Sequence, residues 1–201
     1  MASKTRNVAA QALHAEIVKC QVCATHLPLG PRPVVRFDPS AQLLIIGQAP
    51  GTRVHESGVP WDDASGERLR DWLGVNAETF YDPGRVALMP MGFCYPGVAA
   101  SGGDNPPRRE CAPLWHARIR SVLPKIRLTL LVGQYAQQYY LAATGRMTLT
   151  ERVREAESFL PDFLPLPHPS WRSTGWMRKN PWFEIVTLSV VRKKVTEALN
   201  S

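Results

Sequence analysis

Four cysteines stand at Cys20, Cys23, Cys94 and Cys111, as a Cys-x2-Cys pair, seventy intervening residues, and Cys-x16-Cys. A Cys-x2-Cys turn lets two thiolates converge on one centre, and a second pair folded onto it completes a four-sulfur site. Zinc and an iron–sulfur cluster both accept four thiolates, and spacing does not separate them; four reduced thiols are the plain alternative. A second feature is Gly47-Gln48-Ala49-Pro50-Gly51. Glycines let backbone approach a ligand closely, and Gln48 both donates and accepts hydrogen bonds, although an ordinary turn reads the same way. The third is Pro167-His168-Pro169-Ser170-Trp171-Arg172. Its prolines restrict the backbone around the histidine, while Ser170 and Arg172 have the chemistry to meet phosphate. A surface histidine without a role is the competing reading.

Those residues need a frame, and the apolar runs supply one. Leu43-Leu44-Ile45-Ile46, closed by Gly47, is the continuous run of a strand buried on both faces. Arg85–Met89, ended by Pro90, reads as a second strand; Leu128–Val132, closed by Gly133, as a third; Phe163–Leu166, running into His168, as a fourth. Helical patterns alternate with them. Asn7–Lys19 carries an apolar stripe at Val8, Ala12, Leu13 and Ile17, with Asn7 as the expected N-cap. Further helices are expected near Ser65–Leu73, through Leu114, Arg118 and Ile119, and over Gln134–Ala143. A last one is expected to open at Asn180-Pro181 and run to Leu199. Cys20–Pro39, Gln48–Asp63 and the Gly/Pro-rich Gly92–Pro107 read as irregular, so all four cysteines fall outside the expected helices and strands. The last of these loops is long enough to point to function or mobility. The alternation predicts an α/β fold with a mainly parallel sheet, whose site lies outside the carboxyl ends of the strands. Those ends carry Gly47–Gly51, Pro90-Met91-Gly92, Gly133-Gln134 and His168-Pro169-Ser170.

The chain has 201 residues, the size of one domain, and 44% hydrophobic residues with six tryptophans, too apolar for a disordered chain. Its longest aliphatic runs fall far short of the ~18 apolar residues that cross a bilayer. Met1–Ala10 carries charge with no apolar stretch after it, so no signal peptide is expected and the compartment is read as cytoplasmic. There, cysteines serve as thiols or metal ligands ahead of disulfides. The 24 Lys and Arg against 17 Asp and Glu leave a formal charge of +7, which suits a polyanionic partner without requiring one.

Taken jointly, the three motifs resemble the uracil-DNA glycosylase superfamily, most closely its iron–sulfur family 4 enzymes of bacteria and archaea. That family's GEAPG motif is matched by Gly47–Gly51, with Gln48 in place of glutamate. Its G-x-PFVG-x-AG segment has a counterpart in Gly58-Val59-Pro60-Trp61-Asp62-Asp63-Ala64-Ser65-Gly66, with Trp61 at the phenylalanine and two aspartates at the Val-Gly pair. Its second motif opens with His-Pro, matched by His168-Pro169, and its cluster cysteines follow the order and spacing found here. The resemblance runs from about Cys20 to Trp182.

The resemblance implies a three-layer α/β/α sandwich around a central four-stranded parallel sheet, one domain over residues 1–201, acting as a monomer. It implies hydrolysis of the N-glycosidic bond of a deaminated base, uracil first, flipped out of single- or double-stranded DNA. Cys20, Cys23, Cys94 and Cys111 would hold a 4Fe–4S cluster, with zinc as the alternative. His168 becomes the donor to the base oxygen where negative charge develops, and Gln48 with the loop amides holds the base or the attacking water. Gly47, Ala49, Trp61 and Met91 would line the base pocket; Trp61 offers a stacking face or is an ordinary core tryptophan. Ser170, Arg172, Arg178 and Lys179 would hold phosphates beside the lesion, although Arg178 and Lys179 read equally as a solvated pair.

Two positions depart from the pattern. Family 4 reads the uracil edge with an asparagine four residues before its third cysteine, and here that position is Pro90. Family 1 enzymes activate water with an aspartate directly after the glutamine of the first motif, and here that position is Ala49. Asp62 and Asp63 are candidates to replace it, or they only prepare the N-terminus of the next helix. His55 and Glu56 are weaker candidates in the same loop. Two readings therefore stand beside the enzyme: a relative that binds lesion or abasic DNA with little turnover, and a four-cysteine, metal-stabilised nucleotide-binding domain. Against the latter, no Walker lysine follows Gly51.

Overall fold

The computed structural model describes residues 2–100 and 102–200; Met1, at the head of the Met1–Ala10 segment, Ser101, inside the Gly92–Pro107 loop, and Ser201 lie outside the described residues. Four strands, β1 (Leu43–Ile46), β2 (Val86–Leu88), β3 (Leu128–Val132) and β4 (Phe163–Leu166), form one sheet in the order β2-β1-β3-β4. Every neighbouring pair is parallel, with Leu43 opposite both Val86 and Leu128, and Val132 opposite Leu166. Parallel strands need crossovers, the crossovers are helices, and helices on both faces explain why the strands are apolar at every position except Thr129, which is itself buried.

Side chains alternate across the sheet, so two cores form. Leu43, Ile45, Leu130, Val132 and Leu164 point to one face, and Leu44, Ile46, Ala87 and Leu131 to the other. Among the described residues nine α-helices surround the sheet: α1 (Ala2–Val18), α2 (Thr52–Ser57), α3 (Ala64–Leu73), α4 (Ala77–Tyr81), α5 (Cys111–Ser121), α6 (Gln134–Tyr140), α7 (Leu149–Arg154), α8 (Thr174–Lys179) and α9 (Leu188–Asn200). The first core takes Leu69 and Leu73 of α3, Phe80 of α4 and Val191 and Val195 of α9. The second takes Leu13 and Ile17 of α1, Trp115 and Ile119 of α5 and Ala136 of α6. The result is a three-layer α/β/α sandwich, and no helix among the described residues is long and apolar enough to cross a membrane.

Several local expectations are corrected. Asn7 lies inside α1 and caps nothing, and Val8 and Ala12 face solvent; the buried stripe is Ala10, Leu13 and Ile17. The segment Gln48–Asp63 contains α2, and α4, α7 and α8 fall where no helix was expected. Each is only five or six residues long, too short for an apolar period to declare itself. Caps mark two of them: Asn76 accepts from the Thr79 amide at 2.8 Å, and Thr148 with Glu151 forms a capping box. Asn180 closes α8, its side-chain amide donating back to the Trp176 carbonyl at 2.9 Å, and it also heads the last helical run, since its own carbonyl accepts from the Phe183 amide at 3.0 Å. A π-helical turn at Phe183–Thr187 precedes α9. Cys111 is the first residue of α5 and so is not in an irregular segment.

Candidate active site and cysteine pocket

The carboxyl ends of the strands open onto one cavity of about 380 Å³. Gly47–Pro50 follow β1, His168 and Ser170 follow β4, and Pro90 follows β2. Trp61 and Asp63 enter from the turn before α3, and Gly103 and Asp104 from the long Gly/Pro-rich loop. Of the residues singled out in the sequence, Gly47, Gln48, Ala49, Trp61, Asp63, His168, Ser170 and Arg172 line this space. Asp62, Met91, Arg178 and Lys179 do not.

The loop after β1 is fixed by backbone. The Gly47 carbonyl accepts from the Met91 amide at 2.9 Å and the Gln48 carbonyl from the Gly92 amide at 3.0 Å, extending the β1–β2 ladder past both strand ends. Met91 therefore acts through its main chain. Its side chain is buried in the second core, because the pleat turns it away from the cavity that its neighbour Pro90 faces. Pro90 presents no amide. Its carbonyl is 3.1 Å from His116 Nε2, whose Nδ1 is 2.7 Å from the Tyr140 hydroxyl. A carbonyl only accepts, so Nε2 carries the proton and Nδ1 accepts from Tyr140. Burial pulls the His116 pKa down to about 4, so this ring is neutral in the protein at neutral pH.

Trp61 takes a left-handed backbone, with φ at 60°, a conformation that costs a bulky residue about 1–2 kcal/mol. Two glycines make the room. A Cβ at Gly66 would stand 1.8 Å from the Trp61 carbonyl oxygen, and one at Gly47 would stand 2.6 Å from Trp61 Cζ2. The indole, partly buried, lies beside the His168 ring, with centroids 5.7 Å apart and planes inclined by 30°.

His168 is held from both sides. Gly133, at a φ of 88° that favours glycine, borders its ring; the Ser173 hydroxyl donates to its carbonyl, and Arg68 donates to the Ser170 carbonyl at 2.9 Å. Burial lowers the His168 pKa, and the nearby Asp63 charge partly opposes this. The imidazole is thus neutral at pH 7, with one N–H to give. Asp63 caps α3 by accepting from the Gly66 amide at 2.8 Å while also lining the cavity, so its two readings are compatible. Asp62 only approaches the exposed Arg53, at 4.0 Å.

The mouth is built from the β4 loop and the long loop. The Arg172 guanidinium lies against Gly103, where a Cβ would stand 2.0 Å from Nη1, and over the Trp171 ring at 5.5 Å. Trp171 is 75% exposed, the most open large hydrophobic residue among those described. Asp104 faces the same space; burial and then Asp63 raise its pKa against the pull of Arg172. The sequence carries no signal for Asp104 beyond the turn marked by the preceding Gly102-Gly103 pair. Arg178 and Lys179 are exposed at the end of α8, outside the cavity. His55 is buried in α2 with Nδ1 unpartnered, beside Tyr95 and away from the cavity lining, and Glu56 contributes only a carbonyl, to Arg32.

A second, small cavity is lined by Cys20, Cys23, Cys94 and Cys111, with Leu27, Pro33, Phe93 and Trp115 as apolar walls. The fold thus brings together two thiols from the segment after α1, one from the loop after β2 and one from the start of α5. Among the described residues no three His, Cys, Asp or Glu side chains have the arrangement of a metal-ion site. The donor set itself suits a soft centre. Burial pushes Cys94 up to about 11 and Cys111 up to about 12, so thiolates at these two positions need positive charge beside them, and Arg108, which lines the same cavity, supplies it only toward Cys23. The Phe93 amide is aimed at Cys111 Sγ, at 3.3 Å.

A family model described as the uracil DNA glycosylase superfamily matches residues 34–192. The matched stretch holds Gly47–Gly51, Trp61, Cys94, Cys111 and His168, while Cys20 and Cys23 precede it.

Proposed function

Because the chain belongs to the uracil DNA glycosylase superfamily, we propose that it is a DNA glycosylase hydrolysing the N-glycosidic bond of a deaminated base, uracil first among them. The observation that carries this is the convergence of Gln48, Trp61, Asp63 and His168 from three separate segments on one cavity. Its volume, about 380 Å³, lies in the ~300–1,000 Å³ range of small-ligand pockets. A base stacked in a duplex is out of reach of such a pocket, so it must be flipped into it.

As the C–N bond breaks, its electron pair moves onto the base and negative charge builds on the base oxygens, while the sugar becomes oxocarbenium-like. A neutral His168 offers an N–H to that charge at the moment it develops, where a preorganised donor is worth most. Water adds to the sugar carbon, and its proton passes to the Asp63 carboxylate, which has one oxygen left over from capping α3. Gln48 orients the base or the water. Ser170 and Arg172, at the mouth, contact the phosphates beside the lesion; Arg178 and Lys179 contribute farther out.

Base choice is set by what Pro90 withholds. With an apolar ring in place of an amide, and its carbonyl already engaged by His116, reading of the base edge falls to Gln48 and the loop amides. A broader selection among deaminated bases follows. Cys20, Cys23, Cys94 and Cys111 would hold a 4Fe–4S cluster, which would tie three distant segments together and leave the chemistry to the other cavity.

Purified protein is expected to release free base from single- or double-stranded oligonucleotides containing uracil, hypoxanthine or xanthine, and His168→Ala to slow release by ~10²-fold or more. Failure on all three bases, together with tight binding of abasic DNA, would replace the enzyme with a lesion-binding relative. Iron and sulfide analysis after anaerobic purification tests the cluster, and stoichiometric zinc in their place would overturn it.

A further inference from the structure

We propose that Tyr81, which does not touch the cavity, is a positioning residue for the reaction: its hydroxyl holds Trp61 in the left-handed conformation that keeps the indole beside His168. The inference rests on the glycosylase reading for its consequence and on geometry alone for its first half.

The Tyr81 hydroxyl lies 3.0 Å from the Trp61 carbonyl oxygen and 2.9 Å from Arg70 Nη1. Arg70 can only donate, so it occupies a lone pair of the hydroxyl and leaves the single O–H to point at Trp61. Two guanidiniums lie over the ring, Arg70 at 5.4 Å and Arg36 at 5.8 Å from its centroid. Arg36 also donates to the Tyr81 carbonyl at 3.0 Å, while its own backbone bridges to Leu88 of β2. Tyr81 is therefore fixed to the sheet and to α3, and its hydroxyl has no freedom to follow Trp61 elsewhere.

What it holds is a conformation that would otherwise relax. At a φ of 60° the Trp61 backbone is out of the ground favoured by a bulky side chain, and its carbonyl is pressed against Gly66, where even a methyl group has no room. An unpaired carbonyl there would gain by turning to water, and the indole would swing with it. Trp61 covers His168, and that cover contributes to the burial that keeps the imidazole neutral. The charged groups sharing the cavity with His168 are Asp63, Asp104 and Arg172, and none of them bonds to Tyr81.

Tyr81→Phe keeps the ring and both guanidinium contacts and removes only the hydroxyl. In DNA-free protein, NMR titration of His168 is expected to show its pKa rising toward the ordinary histidine value. In base release, kcat is expected to fall about tenfold with KM within about twofold, since misplacement of one group by an ångström costs up to ~10²-fold. Arg70→Met should reproduce both effects, and the double variant should add little to either, because the two side chains act as one unit. An unchanged His168 titration and an unchanged kcat in Tyr81→Phe overturn the proposal, as does a double variant whose losses simply add. A wild-type protein that releases no base overturns the glycosylase reading instead, and the titration still decides whether Tyr81 holds Trp61.

Discussion

Replacing Gly47 with alanine isolates the packing of Trp61, since Gly47 is not among the residues with positive φ and an alanine backbone costs nothing there. The new Cβ would stand 2.6 Å from Trp61 Cζ2 and 3.3 Å from Cη2. Carbon atoms in contact settle at about 3.5–4.0 Å, so the indole must retreat by about 1 Å. Its own carbonyl is held by Tyr81 and backed by Gly66, which leaves the ring, not the backbone, to move. Overpacking of this kind costs about 1–3 kcal/mol. For a chain this long that lowers the melting midpoint by about 2–12 °C. Displacement by an ångström beside His168 should also slow base release by ~10²-fold. Both are read from one preparation: thermal unfolding of the DNA-free protein, and single-turnover release from a uracil-containing oligonucleotide. Gly47→Ala with Trp61→Phe, whose smaller ring clears the added methyl, should regain the lost stability. A Gly47→Ala protein that melts and turns over like wild type would refute the wedged placement of the indole. Lost stability that the second substitution does not restore would put the strain elsewhere.

Three further outcomes are expected. If a neutral His168 is the donor, base release persists as pH falls past the ordinary histidine range and fails only as pH drops through its lowered pKa; a rate that halves near pH 6.5 would contradict this. His116, at about 4 in the folded protein, binds its proton more tightly when unfolded, so below pH ~6.5 protonation of the unfolded chain erodes stability, by about 3 kcal/mol once pH has fallen to 4, and above pH ~6.5 the group has no such effect. Chemical denaturation from pH 7.5 to 4.5 should show that slope in wild type and a shallower one in His116→Gln. Cys20→Ala should lower thermal stability, with activity affected only through it, and a variant as stable as wild type would remove the structural role given to the cysteine pocket.

Much of the site was legible because strand ends are legible. Leu43–Ile46, Leu128–Val132 and Phe163–Leu166 are strands over the ranges their apolar runs mark, and the polar residues that follow two of them, Gln48 and His168, meet in one cavity. Asp63 reads from sequence either as a carboxylate of the site or only as the acid that starts a helix, and it caps α3 while also lining the cavity. Met91 shows where such reasoning runs out. An apolar residue beside a strand end suits a base pocket or a core equally, and only the pleat, which carries Pro90 to the cavity, sends Met91 away from it. Asn180 shows the same limit, since an asparagine before a proline can close one helix as well as open the next, and here it does both: its side chain bonds back to Trp176 and its carbonyl accepts from Phe183.

Residue order by itself determined the layered sheet, the edge on which the larger cavity opens, and the histidine and glutamine that meet there, because burial on both faces and the polar ends of buried strands are written in local patterns. Tertiary structure alone decided that Tyr81 and Arg70 support Trp61, that Gly47 and Gly66 make room for it, and that Asp104 reaches the cavity from a loop far along the chain. Apart from Gly66, which shares a turn with Trp61, these residues come from segments whose sequences carry no mark of one another, and only the packing of the sheet and its helices brings them into contact.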